Sequence, residues 1–226
     1  MFLGALNTTE ARDPCMDLVG ELYRYFRDER EKHKREPGVY WVTDLVSCSQ
    51  KEKFSRTYPE LELAQLFRPA LVQGALVHAG LEAVLKEILE ERGAEVEVEP
   101  EAILELDLGE HLPDATGRVT VKGRADLVVK APTGERVGVE IKTARADLSL
   151  PHEHHVDQVR IYNTMFGLEG SIIVYVTPDR VTQYEVRDRM SLADMARRVV
   201  EARAPRYPWE CAYCPFAVLC PYKVVR

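Results

Sequence analysis

At Gly93 the chain changes its periodicity, and that change restricts the possible folds more than any other feature. Residues 70–92, ALVQGALVHAGLEAVLKEILEER, carry apolar side chains at helical spacing and predict one long helix ended by Gly93. From residue 95 apolar and polar side chains alternate instead, in EVEVEPEAILELDL (95–108), RVTVKGRADLVVK (118–130) and RVGVEIKT (136–143). Thr133-Gly134 supplies a hairpin turn between the last two runs. Residues 152–166 read as a helix, SIIVYV (171–176) as a buried strand, VTQYEV (181–186) as another strand, and 191–204 as a helix stopped by Pro205 and Pro208. A helix, three strands, a helix and two strands in this order predict an α/β fold, a central mixed β-sheet flanked by helices. Upstream, Leu18, Leu22, Tyr25 and Phe26 give residues 15–35 helical spacing, Pro37-Gly38 stops that helix, and Thr43 would cap a short helix through Lys51–Arg56.

The 226 residues, 46% of them hydrophobic, suffice for one sizeable core, so a single domain over 1–226 with its core at about 70–204 is expected. No apolar run approaches the ~20 residues that span a bilayer. The start, MFLGALNTTEARDP, lacks the basic opening and cleavage pattern of a signal peptide, so a cytoplasmic chain is expected. Its five cysteines are then not a disulfide framework, and the odd count agrees. A net charge of −7 argues against indiscriminate polyanion binding but leaves room for a local basic groove.

GVEIKTA, at 138–144, places Val139 and Ile141 on one face of a strand and Glu140 and Lys142 on the other, ~7 Å apart. If the apolar pair meets a core, the charged pair meets a cleft. Asp126 ends the preceding strand, and pairing through the 133–134 turn brings it toward Glu140. Two carboxylates in one cleft repel unless a cation lies between them, and hard oxygen ligands select Mg²⁺ or Mn²⁺. Such an ion polarises a phosphoryl oxygen and lowers the pKa of a bound water, and Lys142 would position that water or neutralise charge on the phosphate. An isolated E-x-K is otherwise common on solvated strand faces. His78 lies in an apolar helix with Gly74 one turn earlier, where a glycine lets another segment approach. Imidazole suits Mn²⁺ better than Mg²⁺. Gln158 and Tyr162 share a helix face at i,i+4 and could reach a phosphate or a base edge. In the cluster His152–His155, His154 with Gln158 or His155 with Asp157 could be metal ligands, but the H-E-x-x-H spacing is lacking and the cluster is expected to begin a helix on an exposed face after Pro151.

The tail reads CAYCPFAVLCP, with Cys211, Cys214 and Cys220 spaced as metal ligands. A fourth thiolate is needed. Cys48, in the polar SCSQKEKF, is preferred over Cys15, which precedes a helix. Zinc and an iron–sulfur cluster both accept four thiolates. A single upstream cysteine with three clustered ones favours iron–sulfur over zinc, which more often pairs two Cys-x2-Cys knuckles. Four thiolates satisfy 4Fe–4S and 2Fe–2S alike.

In this order, Cys48, Gly74-x3-His78, Gly123-x2-Asp126, Glu140-x-Lys142, Gln158-x3-Tyr162 and Cys211/Cys214/Cys220 resemble the CRISPR-associated protein 4 family, RecB-like nucleases of the PD-(D/E)xK superfamily. Each motif alone is weak, but the ordered set, spanning 48–220, is specific. The resemblance implies a restriction-endonuclease-like core and an iron–sulfur module formed by about 43–58 and 205–226. It implies His78, Asp126, Glu140 and the Ile141 carbonyl as ligands of Mn²⁺ or Mg²⁺, Lys142 as the catalytic lysine, and Gln158 and Tyr162 as substrate-positioning groups. It further implies an exonuclease on single-stranded DNA, 5′ to 3′, trimming captured DNA for a CRISPR integrase complex. The alternative is a non-catalytic DNA-binding scaffold of that complex, and a third reading is a zinc-stabilised protein of unrelated function. Candidate DNA-contacting cations are Lys51, Lys53 and Arg56 beside Cys48, and Arg197, Arg198, Arg203 and Arg206 before the tail. Tyr207, Trp209, Tyr213 and Phe216 are candidate stacking surfaces.

Overall fold

A computed structural model describes residues 17–31, 36–63, 65 and 68–224, in two compact units, 1–34 and 35–226. In the first unit, helix α1 (Leu18–Glu31) opens with the Asp17 carboxylate accepting from the Gly20 N–H at 2.9 Å, which satisfies one of the free donors of its first turn. Cys15 lies outside the described residues.

The second unit carries two mixed sheets where one was expected. A three-stranded sheet has the order β1 (Val39–Trp41), β4 (Arg118–Arg124), β3 (Glu101–Asp107), with β1 parallel to β4 and β3 antiparallel. A five-stranded sheet has the order β2 (Glu95–Val98), β5 (Leu127–Lys130), β6 (Arg136–Thr143), β7 (Gly170–Val176), β8 (Val181–Val186), and only β6 and β7 run parallel. The alternating runs 95–108 and 118–130 are therefore not single strands. Each passes from one sheet to the other, and both break at the same level. Pro100 has no N–H for a ladder, and Glu99 takes a positive φ of 48°, uncommon outside glycine. Across the break the Glu99 N–H donates to the Asp126 carbonyl at 2.9 Å and the Ala125 N–H to the Pro100 carbonyl at 3.2 Å. Alternation alone does not reveal this break, because the pattern continues across it.

The upstream helical segment is also divided, into α2 (Val42–Leu45) and α3 (Ser49–Thr57), with Cys48 at the N-cap of α3. Short helix α4 (Pro59–Leu63) follows, then the long α5 (Pro69–Glu91), and α6 (Leu108–His111) links the two arms of the first sheet. Helix α5 lays Leu81, Leu85 and Leu89 on Leu127, Val129, Val139 and Ile141 of the five-stranded sheet. Helix α7 (Glu153–Met165) crosses from β6 to β7, as a parallel pair requires, and lies between the two sheets. Its Val159 packs with Ile173, Tyr175 and Val186, while Ile161 and Tyr162 pack with Val42, Leu106 and Val121. Asn163 is fully buried there and fully used: its amide donates to the Val186 and Asp188 carbonyls, and Ser171 donates to its oxygen. Helices α8 (Leu192–Val200) and α9 (Glu210–Tyr213) complete the unit. Among the described residues no helix is long and apolar enough to cross a membrane.

Candidate active site

Asp126 stands at the break between β4 and β5, outside both ladders. The register Leu127↔Val139 puts it beside Glu140 across the β5–β6 hairpin. Its carboxylate is fixed by the Ile141 N–H at 2.6 Å and lies 3.5 Å from His78 Nδ1 on α5. Burial pushes its pKa up, but the His78 and Ile141 hydrogen bonds and the Lys142 charge outweigh this and hold it below the ordinary aspartate value.

On β6 the two faces separate as the alternation requires. Val139 and Ile141 join the α5 core, and Glu140 and Lys142 face α7. Glu140 is 3% exposed. One of its oxygens, Oε1, accepts from Lys142 Nζ at 2.5 Å and from Gln158 Nε2 at 2.8 Å. The other, Oε2, is buried without a hydrogen-bond partner. Burial, aided by nearby Asp126, pushes the Glu140 pKa up to about 7 against the pull of Lys142. Lys142 is held charged by Glu140 and Asp126 in spite of its burial.

Gln158 and Tyr162 are both buried in this arrangement. Gln158 bridges Glu140 and the Tyr162 hydroxyl at 3.1 Å, and that hydroxyl donates to the Arg124 carbonyl at 2.8 Å. The chain of bonds ties α7 to both sheets at the break. The motif glycines serve close approach. A Cβ at Gly123 would lie 3.0 Å from Tyr162 Cε1, and one at Gly74 would lie 3.2 Å from Thr143 Oγ1. Glu82 has no place in the motif pattern. It lies one turn after His78 on α5, and ligand atoms of His78, Glu82 and Asp126 all fall within 4.8 Å of one another. Burial and the Asp126 charge raise the Glu82 pKa. The available signal was the i,i+4 spacing H-x3-E on one helix face.

The cysteines meet on the α7 side. Cys48, Cys211, Cys214 and Cys220 are free thiols lining one cavity of about 310 Å³, whose walls also include Lys142, Gln158, His154 and Trp209. Burial pushes the Cys48 and Cys214 thiols up. Glu210 fastens the two segments: its carboxylate accepts from the Cys48 N–H and from the Tyr207 N–H, each at 2.8 Å. The Ser49 N–H and hydroxyl both reach the Arg203 carbonyl at 3.0 Å, Arg206 donates to the Ser47 carbonyl, and the Phe54 and Phe216 rings pack 5.8 Å apart.

The expected exposed face at 152–155 is corrected. His154 sits 4.8 Å from the Trp209 ring, and His155 Nδ1 lies 2.7 Å from the Tyr175 hydroxyl, so both are partly buried between the acids and the cysteines. The cations divide into two groups. Arg56 pairs with Glu52 and lies over the Tyr40 ring, and Arg198 pairs with buried Asp157 at 2.5 Å and reaches the Leu45 carbonyl. Lys51 lines the cysteine cavity, Lys53 is exposed, and Arg197 is half exposed beside Asp194.

The family model for the PD-(D/E)XK nuclease superfamily matches residues 43–221. The CRISPR-associated exonuclease Cas4 of Saccharolobus solfataricus is 36% identical over 202 residues, 87% of this chain and 94% of that protein. The crystal structure of SSO0001 superposes with a TM-score of 0.84 at 34% identity, covering 92% of this chain and 97% of that one. The chain belongs to the PD-(D/E)XK nuclease superfamily and, within it, to the family of the CRISPR-associated Cas4 exonucleases.

Proposed function

We propose that this protein is a metal-dependent deoxyribonuclease that degrades single-stranded DNA from its 5′ end and trims captured DNA for a CRISPR integrase complex. The reading is carried by one observation: Glu140 is buried with one oxygen lacking any hydrogen-bond partner, within electrostatic reach of Asp126 and His78. A buried, unsatisfied carboxylate oxygen beside a second acid and an imidazole costs stability unless a cation completes it. The donor set of His78, Asp126, Glu140 and the Ile141 carbonyl fits Mn²⁺ or Mg²⁺. Bound there, the ion would supply Lewis-acid polarisation of a phosphoryl oxygen and a water of lowered pKa.

The chain's own residues do the rest. The Ile141 N–H aims Asp126, and Gln158 holds Glu140 in place from α7. Lys142 keeps its proton and stands ready to stabilise charge growing on the phosphate. Tyr162 braces Gln158 and positions it.

Cys48, Cys211, Cys214 and Cys220 would hold an iron–sulfur cluster, 4Fe–4S or 2Fe–2S, since four free thiols share one cavity. The cluster fastens the C-terminal segment beside the acids. Lys51, Lys53 and Arg197 contact the DNA backbone, and Trp209 and Tyr213 offer stacking surface; Arg56 and Arg198 contribute by holding the walls.

The test uses single strands labelled at either end, incubated with Mn²⁺ and wild-type, Lys142→Ala or Asp126→Ala protein. Both substitutions should lower cleavage by about 10³-fold, the scale of losing one group that stabilises transition-state charge. The two labels report polarity. Equal cleavage by all three proteins would sink the reading and leave a DNA-binding scaffold.

A further inference from the structure

We infer that His155 is a strand-binding residue, a neutral N–H donor that holds a phosphate oxygen of the DNA beside Lys142, and that Tyr175 fixes the imidazole in this role. The role rests on the single-strand nuclease reading above and deepens it. Tyr175 stands on β7 with its side chain fully buried. Its hydroxyl accepts from the His152 N–H at 3.0 Å and lies 2.7 Å from His155 Nδ1. A buried hydroxyl proton needs an acceptor, and among the described residues Nδ1 is the only acceptor bonded to this one. Tyr175 therefore donates to Nδ1, and the proton of the neutral ring sits on Nε2. Burial and the Lys142 charge push the His155 pKa far down, so the ring stays neutral.

A second, independent feature is how the neighbouring groups are spent. His155, Lys142 and Gln158 line one cavity. The Gln158 amide donates to Glu140 and to the Tyr162 hydroxyl, and that hydroxyl donates to the Arg124 carbonyl. Both are committed within the protein. Among the described residues the bond at Nδ1 is the only one His155 makes, so its Nε2–H is uncommitted. Lys142 spends one of its three donors, on Glu140. The cavity therefore carries a neutral donor and a cation with donors to spare, and no acceptor from either. Such a pair suits an anionic oxygen, and a strand supplies one at every phosphate.

The experiment measures binding of a fluorescent single strand to the full-length chain, purified anaerobically, without added divalent ion, and then KM and kcat with Mn²⁺. His155→Phe keeps a ring and loses the donor. It should bind about tenfold more weakly, the low end for a hydrogen bond to a charged group, and raise KM more than it lowers kcat. His155→Gln places an amide N–H near the position of Nε2, whereas His155→Asn places one near Nδ1. The glutamine should recover most of the affinity and the asparagine should not, a split that a packing role would not produce. Tyr175→Phe releases the tautomer and should weaken binding by a smaller factor. Strands carrying one neutral methylphosphonate in turn at each linkage locate the contact: at one linkage wild type should lose affinity and His155→Phe should lose no more. Wild-type affinity in His155→Phe would overturn the inference, and so would equal affinity in the glutamine and asparagine variants. Altered visible absorption or iron content in His155→Phe with strand affinity unchanged would also overturn it, turning the donor toward the cysteines. If His155→Phe does not fold, the glutamine and asparagine pair decides. Binding is read without divalent ion, so each of these failures leaves the nuclease reading standing, and that reading falls separately if wild type with Mn²⁺ cleaves no strand.

Discussion

The acid cluster at the strand break and the four-cysteine cavity are both assembled from residues distant in the chain, yet they are held in opposite ways. Glu140 and Lys142 are placed by the β6 ladders, Asp126 is held beside them by the Ile141 N–H, and a chain of buried hydrogen bonds runs from Glu140 through Gln158 and Tyr162 to the Arg124 carbonyl. The ladders and these bonds fix Glu140 and Lys142 side by side and hold Asp126 next to them. The cysteine module has little regular structure. Beyond residue 200 the only helix among the described residues is the four-residue α9, and contact with residues 47–54 runs through a few bonds and one ring pair. One region is built on a rigid frame. The other, on the reading above, would draw much of its stability from a cluster held by its four cysteines. Loss of a group should therefore cost chemistry in the first region and stability in the second.

Removing Cys48 tests that contrast most severely. On the reading above, a four-thiolate cluster joining Cys48 to Cys211 would close a loop of 163 positions, and chain entropy alone assigns such a closure about 5 kcal/mol. Cys48→Ser should lose iron, measured by metal analysis, and melt at least about 10 °C lower, given 2–4 °C per kcal/mol for a chain of this size. Unchanged iron content and melting temperature would show that the side-chain staples suffice, and the contrast would fail.

Glu210 sharpens the same point at smaller scale. Its carboxylate accepts two backbone N–H groups 162 and 3 positions away, so it draws the α3 N-terminus and the tail together before any cluster is considered. Hydrogen bonds to a charged group contribute roughly 1.5–3 kcal/mol. A glutamine can accept only one of these bonds with its oxygen. Glu210→Gln should melt about 5 °C lower with its iron still bound at first, then shed iron faster on dilution into chelator. Melting at the wild-type temperature would assign the docking to the cluster alone.

Much of the acid site could be read from the sequence because strand alternation dictates it. Val139 and Ile141 had to be covered, so Glu140 and Lys142 had to face the other way, and the Gly134 turn set the β5–β6 register. Three things were illegible for physical reasons. The division of 95–108 and 118–130 between two sheets leaves alternation intact and is announced only by Pro100. Glu82 looks like any acid on an amphipathic helix until the break brings Asp126 beside it. Glu210 acts on backbone N–H groups, which carry no sequence signature. The cations fared differently again: basic character does not tell Arg198, committed to buried Asp157, from Arg197 at the surface.

Histidines 154 and 155 lie between the two regions, so their titration reports whether the module is closed over the acids. Burial pushes the His154 pKa down to about 4, with help from His152 and Lys142, and pushes His155 lower still. An unfolded histidine takes its proton near 6.5. Between about pH 4 and 6.5 the unfolded chain therefore binds more protons at these two positions, and stability falls as pH falls through that window. Glu140 acts in the opposite sense. With its pKa raised to about 7, the folded metal-free protein holds the extra proton above 4.5, and that contribution is lost as pH rises toward 7. Below 6.5 two histidines oppose one carboxyl, so metal-free wild type should melt lower at pH 5 than at pH 6.5. Replacing both histidines by glutamine leaves Glu140 alone in this window, so the slope should reverse and the variant should melt slightly higher at pH 5 than at pH 6.5, a change of a few degrees measured by calorimetry in chelator. In Cys48→Ser the opened module admits water to both rings, and the limb should move toward pH 6.5. A limb unaltered by both changes would mean that the rings are already wet, so that the module does not seal the acids in the wild type either.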